Sequence, residues 1–187
     1  MSFPADGNAQ STEVHGIIHN ALRLQRLTSD LLDVARIESN SFSLNRERFN
    51  LGEVISCTIR DFRDQQGGGG TGIAYKRSDI SVHADKYRIT QVVFNLLSDA
   101  VKFAKGAIAV ESQKKGGEIA IAVRDDGQGI DPDIMPRLFM KFATKSDQGT
   151  GLGLYISKAI VDAHGGRIWA ENNIGCRDAT FTVILPG

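Results

Sequence analysis

Apolar residues recur with a helical period from Thr12 to about Glu38, where Ile17, Leu24, Leu27, Leu31 and Val34 form a heptad-like seam. Ile18, Leu32 and Ile37 widen that seam into the stripe of a helix in a bundle rather than in a two-stranded coil. One helix cannot bury such a stripe by itself, so either a partner helix upstream or a second copy of the chain is expected to cover it. The next segment, SFSLNRERFN, alternates Phe42 and Leu44 with polar residues and predicts an edge strand. Asn50 with Glu53 three residues on is a capping-box variant, and Phe49 and Val54 stand where a hydrophobic staple places them. They open a second helix carrying Val54, Ile55, Ile59 and Phe62, which ends at QQGGGGTG, a stretch no helix or strand interior accepts.

Two short strands are expected around Ile73 and Ile80, after which Asp85 can cap the long helical run HADKYRITQVVFNLLSDAVKFA. On a helical projection Ile89, Val93, Leu96, Leu97 and Ala100 form its core face, and Arg88, Asn95, Asp99 and Lys102 line the opposite side. Arg88 reads as a surface arginine pairing with a nearby acid. Asn95, Asp99 and Lys102, at i, i+4 and i+7, can converge on one metal–phosphate group. The segments AIAVES and EIAIAVRD, joined by KKGG, predict a hairpin; IAIAV is apolar throughout, so its strand should be central, with its alanine faces under packed helices. RLFMKF predicts a short helix or turn and ATKSDQ a polar, mobile segment. GTGLGL opens the helix LYISKAIVDAH, which stops at Gly165, and RIWAEN and ATFTVILP give two closing strands. The expected fold is α+β: a mixed sheet covered by helices on one face, preceded by one long N-terminal helix.

Composition narrows the functional classes. With 22 basic and 22 acidic residues the net charge is zero, which argues against nucleic acid or an anionic membrane as the main partner. No apolar run has the length of a membrane-spanning helix, and the start MSFPADGNAQ lacks the features of a signal peptide. Cys57 and Cys176 fit two unpaired thiols in a reducing, cytoplasmic compartment. At 187 residues we expect a disordered start over 1–11, a helix over 12–40 and a single domain over 41–187.

The glycine-rich GTGLGL is neither a P-loop, because no Lys-Ser or Lys-Thr follows, nor a dinucleotide fingerprint, whose third glycine would fall on Leu154. Four stretches in order, NLLSDAVKF, DDGQGID, LFMKF and GTGLGL, resemble the N, G1, F and G2 boxes of the ATP-binding catalytic domain of sensor histidine kinases. That domain belongs to the gyrase, heat-shock-chaperone, histidine-kinase and mismatch-repair ATPase superfamily. RLQRLTSDLLDVARIES also resembles the second helix of the family's dimerisation hairpin. The resemblance implies a two-layer α/β sandwich, the Bergerat-type ATP-binding fold, with ATP between the helices and a mobile lid. Asp125 matches the aspartate that accepts from the adenine amino group; Gly127 and Gly129 match glycines beside the base, and Thr180 a threonine supporting it through water. Gly149, Thr150, Gly151, Leu152, Gly153 and Leu154 match the lid hinge and the phosphate-facing turn. Lys102 and Lys145 are implied on phosphates, Phe103 on the nucleoside, and Asn95 with the second polar position of the N box on Mg²⁺; Phe139 and Phe142 match the F box.

Two departures follow. The second N-box position is Asp99 where the family has asparagine. A carboxylate is a sound magnesium ligand beside phosphates, yet without a metal it opposes a triphosphate by roughly 1–4 kcal/mol at about 4 Å. Nucleotide binding is therefore expected to be steeply Mg²⁺-dependent or weakened. The phosphoacceptor motif is also missing: His15, His19, His83 and His164 lie outside any His-Glu…Pro arrangement. The chain reads as part of a longer, homodimeric kinase that transfers the ATP γ-phosphoryl group to a histidine on a phosphoacceptor hairpin and then to a response-regulator receiver domain. Alternatives are a pseudokinase that only binds ATP or ADP, a hydrolytic ATPase, and a serine kinase of the anti-sigma-factor type.

Overall fold

The computed structural model describes residues 7–65, 71–144, 149–173 and 178–187; side chains of the first helix are described from Asn20, Leu22 and Arg23 excepted. The Gly67–Gly70 run, Lys145, Cys176 and residues 1–6 of the expected disordered start lie outside this set. The chain divides into two units, residues 1–42 and 43–187. The first is helix α1, Gly7–Glu38, on which Leu24, Leu31 and Leu32 are exposed. It closes through Ser41 N–H to the Arg36 carbonyl, with Asn40 in the left-handed region at φ 51°.

In the second unit β1 is Glu47–Asn50, shorter than the expected strand, and Phe42 and Leu44 fall outside it. The partner sets the limit. Strand β3, Ser81–Ala84, pairs antiparallel with β1 from Asn50↔Ser81 to Glu47↔Ala84, and the chain then turns into the next helix. Upstream, the Asn45 N–H bonds instead to the Asp85 carboxylate at 2.8 Å. Helix α2, Leu51–Gln65, is capped as expected: Asn50 Oδ1 accepts the Glu53 N–H at 3.0 Å. Helix α3, Lys86–Phe103, is capped by Asp85, whose carboxylate accepts the Arg88 N–H.

The main sheet holds β2 (Gly72–Tyr75), β4 (Ala107–Lys115), β5 (Glu118–Asp125), β6 (Arg167–Asn172) and β7 (Ala179–Pro186) in the order β2-β4-β5-β7-β6. β2 runs parallel to β4 and the other pairs are antiparallel, so the sheet is mixed and β5 is central. β4 and β5 meet at Gly116 and Gly117, both in the left-handed conformation that a tight hairpin turn requires. A helical layer of α2, α3 and α4 (Gly153–Ala163) covers the sheet, with α3 against β5 and α4 against β6 and β7.

Two expectations are reversed. On β5 the wholly buried residues are Ile119, Ile121 and Val123, while Ala120 and Ala122 are half-buried on the other face. The helical layer is filled by large side chains, among them Ile89, Leu96 and Leu97, and its sheet partner is the branched face. Arg88 is buried rather than on the surface, donating to Gln91 Oε1 at 2.9 Å and lying 5.5 Å from the Tyr87 ring centroid.

His164, the C-cap of α4, is buried between elements. A carbonyl can only accept and a backbone N–H only donate, so Nδ1 donates to the Ile160 carbonyl at 2.7 Å and Nε2 accepts from the Asp85 N–H at 3.0 Å. This fixes the neutral imidazole. Burial pushes its pKa below 6.5 and Arg46 adds to that, while the bond to the Ile160 carbonyl and, less, the Asp85 charge oppose it. A folded pKa below the unfolded value means that stability is complete above about pH 6.5 and is lost as pH falls towards the folded pKa. Thermal unfolding between about pH 7.5 and about pH 5.5 should show a loss of up to about 1.4 kcal/mol per pH unit from this group. His164→Gln should have a shallower slope; an unchanged slope would remove His164 as its source.

Candidate functional site

Asp125 ends the central strand and is 3% exposed. Its Oδ1 accepts the Gly127 N–H at 2.9 Å, and the Ala179 N–H of β7 also bonds to the carboxylate. Burial pushes the Asp125 pKa up, the two N–H groups pull it down, and the negative charges of Asp126 and Asp178 add to the rise. A Cβ at Gly127 would stand 2.4 Å from the Phe103 carbonyl oxygen and 2.5 Å from Asp125 Oδ1. The turn therefore packs against the end of α3 only because that residue has no side chain.

Neighbouring groups hold this turn. The Asp126 carboxylate accepts the N–H groups of Lys105, Gly106 and Ala107 at 2.7, 3.1 and 3.0 Å, which ties it to the α3–β4 connection. These donors, Ala107 first, hold its pKa below the usual carboxylate value. Further on, Asn172 at the end of β6 clamps Ile130 from both sides: its Oδ1 accepts the Ile130 N–H at 2.6 Å and its Nδ2 donates to the Ile130 carbonyl at 2.8 Å. Gly129 lies beside this clamp, its Cβ position 3.0 Å from Asn172 Oδ1.

The other end of the site lies where α3 meets α4. Asn95 Nδ2 donates to the Gly153 carbonyl at 3.1 Å and to Ser157 Oγ at 3.2 Å, which leaves Oδ1 as the atom Asn95 can offer a cation. From Asn95 to Phe103 is eight residues, about 12 Å along the helix axis. Unlike α2 and α3, α4 has no side-chain cap: its N-cap is Leu152, and the first α4 bond runs from the Ile156 N–H to the Leu152 carbonyl. The N–H groups of Gly153, Leu154 and Tyr155 thus stand at a helix start with the positive end of its dipole. Gly151 precedes them at φ 66°, where a Cβ would lie 2.6 Å from Phe142 backbone atoms. Its carbonyl accepts the Phe142 N–H at 3.0 Å, and Phe142 is itself left-handed at φ 62° and exposed. Leu152 N–H meets Thr150 Oγ1 at 3.3 Å.

Asp99 lies one turn beyond Asn95, and its Oδ1 is 2.6 Å from Lys102 Nζ. Of the residues singled out in the sequence, Asp125, Gly127, Gly129 and Phe103 gather at the end of β5, Asn95 meets Gly153 at the start of α4 just after Gly151, and Asp99 and Lys102 lie along α3 between these two ends. Phe103 is 54% exposed. Gly149 borders residues 145–148, which lie outside the described residues and include Lys145. Thr180 is not brought to Asp125. It pairs in register with Arg124, and alternation turns its side chain to the opposite sheet face; there Asn173 Nδ2 donates to its Oγ1 at 3.0 Å. The residue facing Asp125 is Ala179. Sequence reasoning missed this and also Asn172, Asp126 and Ser157. Strand alternation counted back from Phe181 was the available signal for Ala179; the other three act through partners distant in sequence.

Residues 84–187 match the family model described as Histidine kinase-, DNA gyrase B-, and HSP90-like ATPase. Sensor protein KdpD of Escherichia coli (strain K12) is 31% identical over 192 residues, covering 100% of this chain and 21% of KdpD, so the chain spans about a fifth of that relative. The solved catalytic domain of histidine kinase ThkA, in a nucleotide-free form, is similar with TM-score 0.68 and 31% identity over 76% of this chain and 95% of that one. Full-length ShkA in complex with AMPPNP shares the fold at TM-score 0.79 and 24% identity, over 100% of this chain and 40% of that one.

The Asn172 clamp can be tested directly. Asn172→Ala removes both bonds to Ile130 and should lower unfolding stability by about 1–3 kcal/mol in urea denaturation. A change within error would mean that other contacts hold the turn.

Proposed function

This chain belongs to the histidine kinase-, DNA gyrase B- and HSP90-like ATPase family, and we propose that it is the ATP-binding catalytic part of a sensor histidine kinase. The observation that carries this reading is the Asp125 carboxylate, buried at the end of the central strand and fixed by the N–H groups of Gly127 and Ala179. A carboxylate so placed accepts from the exocyclic amino group of adenine and opposes the carbonyl that guanine carries there. Gly127 and Gly129 open the backbone to the base, and Phe103 offers an exposed ring beside it. The turn from Gly149 to Leu154 directs its N–H groups and the α4 dipole at the triphosphate, with Lys102 and Lys145 as its cations.

Asn95 and Asp99 supply an amide oxygen and a carboxylate one helical turn apart, hard donors that suit Mg²⁺. Among the described residues no group of three or more His, Cys, Asp or Glu could hold a metal. The remaining ligands of such a cation would then be phosphate oxygens and water, and the ion would neutralise phosphate charge when bound. Thr180, on the other sheet face, has no part in this scheme.

In this reading the γ-phosphoryl group goes to a histidine on a phosphoacceptor hairpin, of which α1 is the second helix, and on to a response-regulator receiver domain. The exposed Leu24, Leu31 and Leu32 of α1 fit a helix that pairs in a homodimeric bundle. Transfer is favoured over hydrolysis because Asn95 cannot take a proton from water. No helix among the described residues is long and apolar enough to cross a membrane, and we place this part in the cytoplasm, with its ATP.

Calorimetric titration with ATP, ADP and GTP, with and without magnesium, tests the reading. ATP and ADP should bind in the micromolar range and GTP at least about tenfold more weakly. Asp125→Asn should cost ATP about tenfold or more, as expected for losing a charged acceptor. Equal affinities for ATP and GTP would overturn the assignment.

A further inference from the structure

The phosphate end of the site carries one feature that matches no simple binding cradle. Its lysine and its carboxylate are bonded to each other, Lys102 Nζ to Asp99 Oδ1 at 2.6 Å, with side chains 30% and 21% exposed. Asn95, one turn earlier, is anchored through its nitrogen to Gly153 and Ser157. Its carbonyl oxygen and the Asp99 carboxylate are thus the oxygens this face of α3 can offer a cation.

We propose that Asp99 and Lys102 form an exchangeable pair, in which Asp99 holds the lysine until a divalent cation arriving with the nucleotide takes the carboxylate and leaves Lys102 to the phosphates. The inference rests on the ATP-site reading above and adds a regulatory step to it. A residue that is simply a weaker magnesium ligand would alter cation affinity alone. An exchangeable pair makes the contribution of Lys102 conditional on the cation. Electrostatics favours exchange over permanent pairing: an ion pair that still reaches water, as this one does, contributes little. A divalent ion between carboxylate and phosphate removes a repulsion and frees a charge-assisted donor together. With an asparagine at position 99 the ammonium has no such partner, and its phosphate contact should need no cation.

The test compares the unmodified chain, Asp99→Asn, Lys102→Gln and the double variant, titrated calorimetrically with ATP in EDTA and in millimolar magnesium. Thermal unfolding checks that each is folded, and GTP serves as the base control. In the unmodified background Lys102→Gln should cost less than about twofold in EDTA and about tenfold with magnesium. In the Asp99→Asn background the same change should cost about tenfold under both conditions. An equal cost of Lys102→Gln in EDTA and magnesium in the unmodified background overturns the exchange while leaving the ATP site standing. If none of the four proteins prefers ATP to GTP under either condition, the ATP reading fails and the exchange fails with it.

Discussion

Asp85 is the junction on which the second unit is organised. Its carboxylate accepts the Arg88 N–H and so starts α3, and it also accepts the Asn45 N–H ahead of β1. Its backbone N–H reaches the imidazole that closes α4. One buried residue therefore satisfies the beginning of one helix, ties down the approach to a strand and fixes the end of a second helix. A buried carboxylate is costly unless its oxygens have donors, and here the backbone supplies them. Because α3 carries Asn95, Asp99, Lys102 and Phe103, this junction also sets where the proposed nucleotide-facing stretch of that helix begins.

The same economy of buried polar groups shapes the site. The buried Asp125 carboxylate accepts two backbone N–H groups, which oppose the upward push of burial on its pKa, and Asp126, on the exposed side of the turn, accepts three. Asn95 and Asn172, which lie at opposite ends of the arrangement, each join two segments through side-chain amides. Polar side chains that look like ligands in a sequence are thus partly structural. What they offer a ligand is the atom their structural bonds leave over, the oxygen for Asn95.

Much of the fold was legible along the chain. The caps at Asn50 and Asp85, the stop at Gly165, the glycine hairpin, the central place of β5 and the extents of β6 and β7 all follow from local chemistry that acts over a few residues. The glycines of the site were readable for the same reason: a left-handed φ with close backbone packing at Gly151 and a close approach at Gly127 are demands that glycine meets best.

Periodicity alone tells which residues share a face but not which face meets the helices. That is why the branched side of β5, and not its alanines, proved buried, and why Thr180 proved to share a face with Arg124 rather than with Asp125. Arg88 was misjudged for a related reason, since a charged residue on a helix reads as solvated until its neighbours are placed. The sequence by itself determined the elements and their order, because these depend on short-range sterics and hydrophobic period. Only the tertiary structure decided that Asn172 reaches back to Ile130, that Asn95 bridges to Gly153, and that Asp99 and Lys102 bond to each other. The first two join residues far apart in sequence, and the third is one choice among several rotamers, so no local rule selects them.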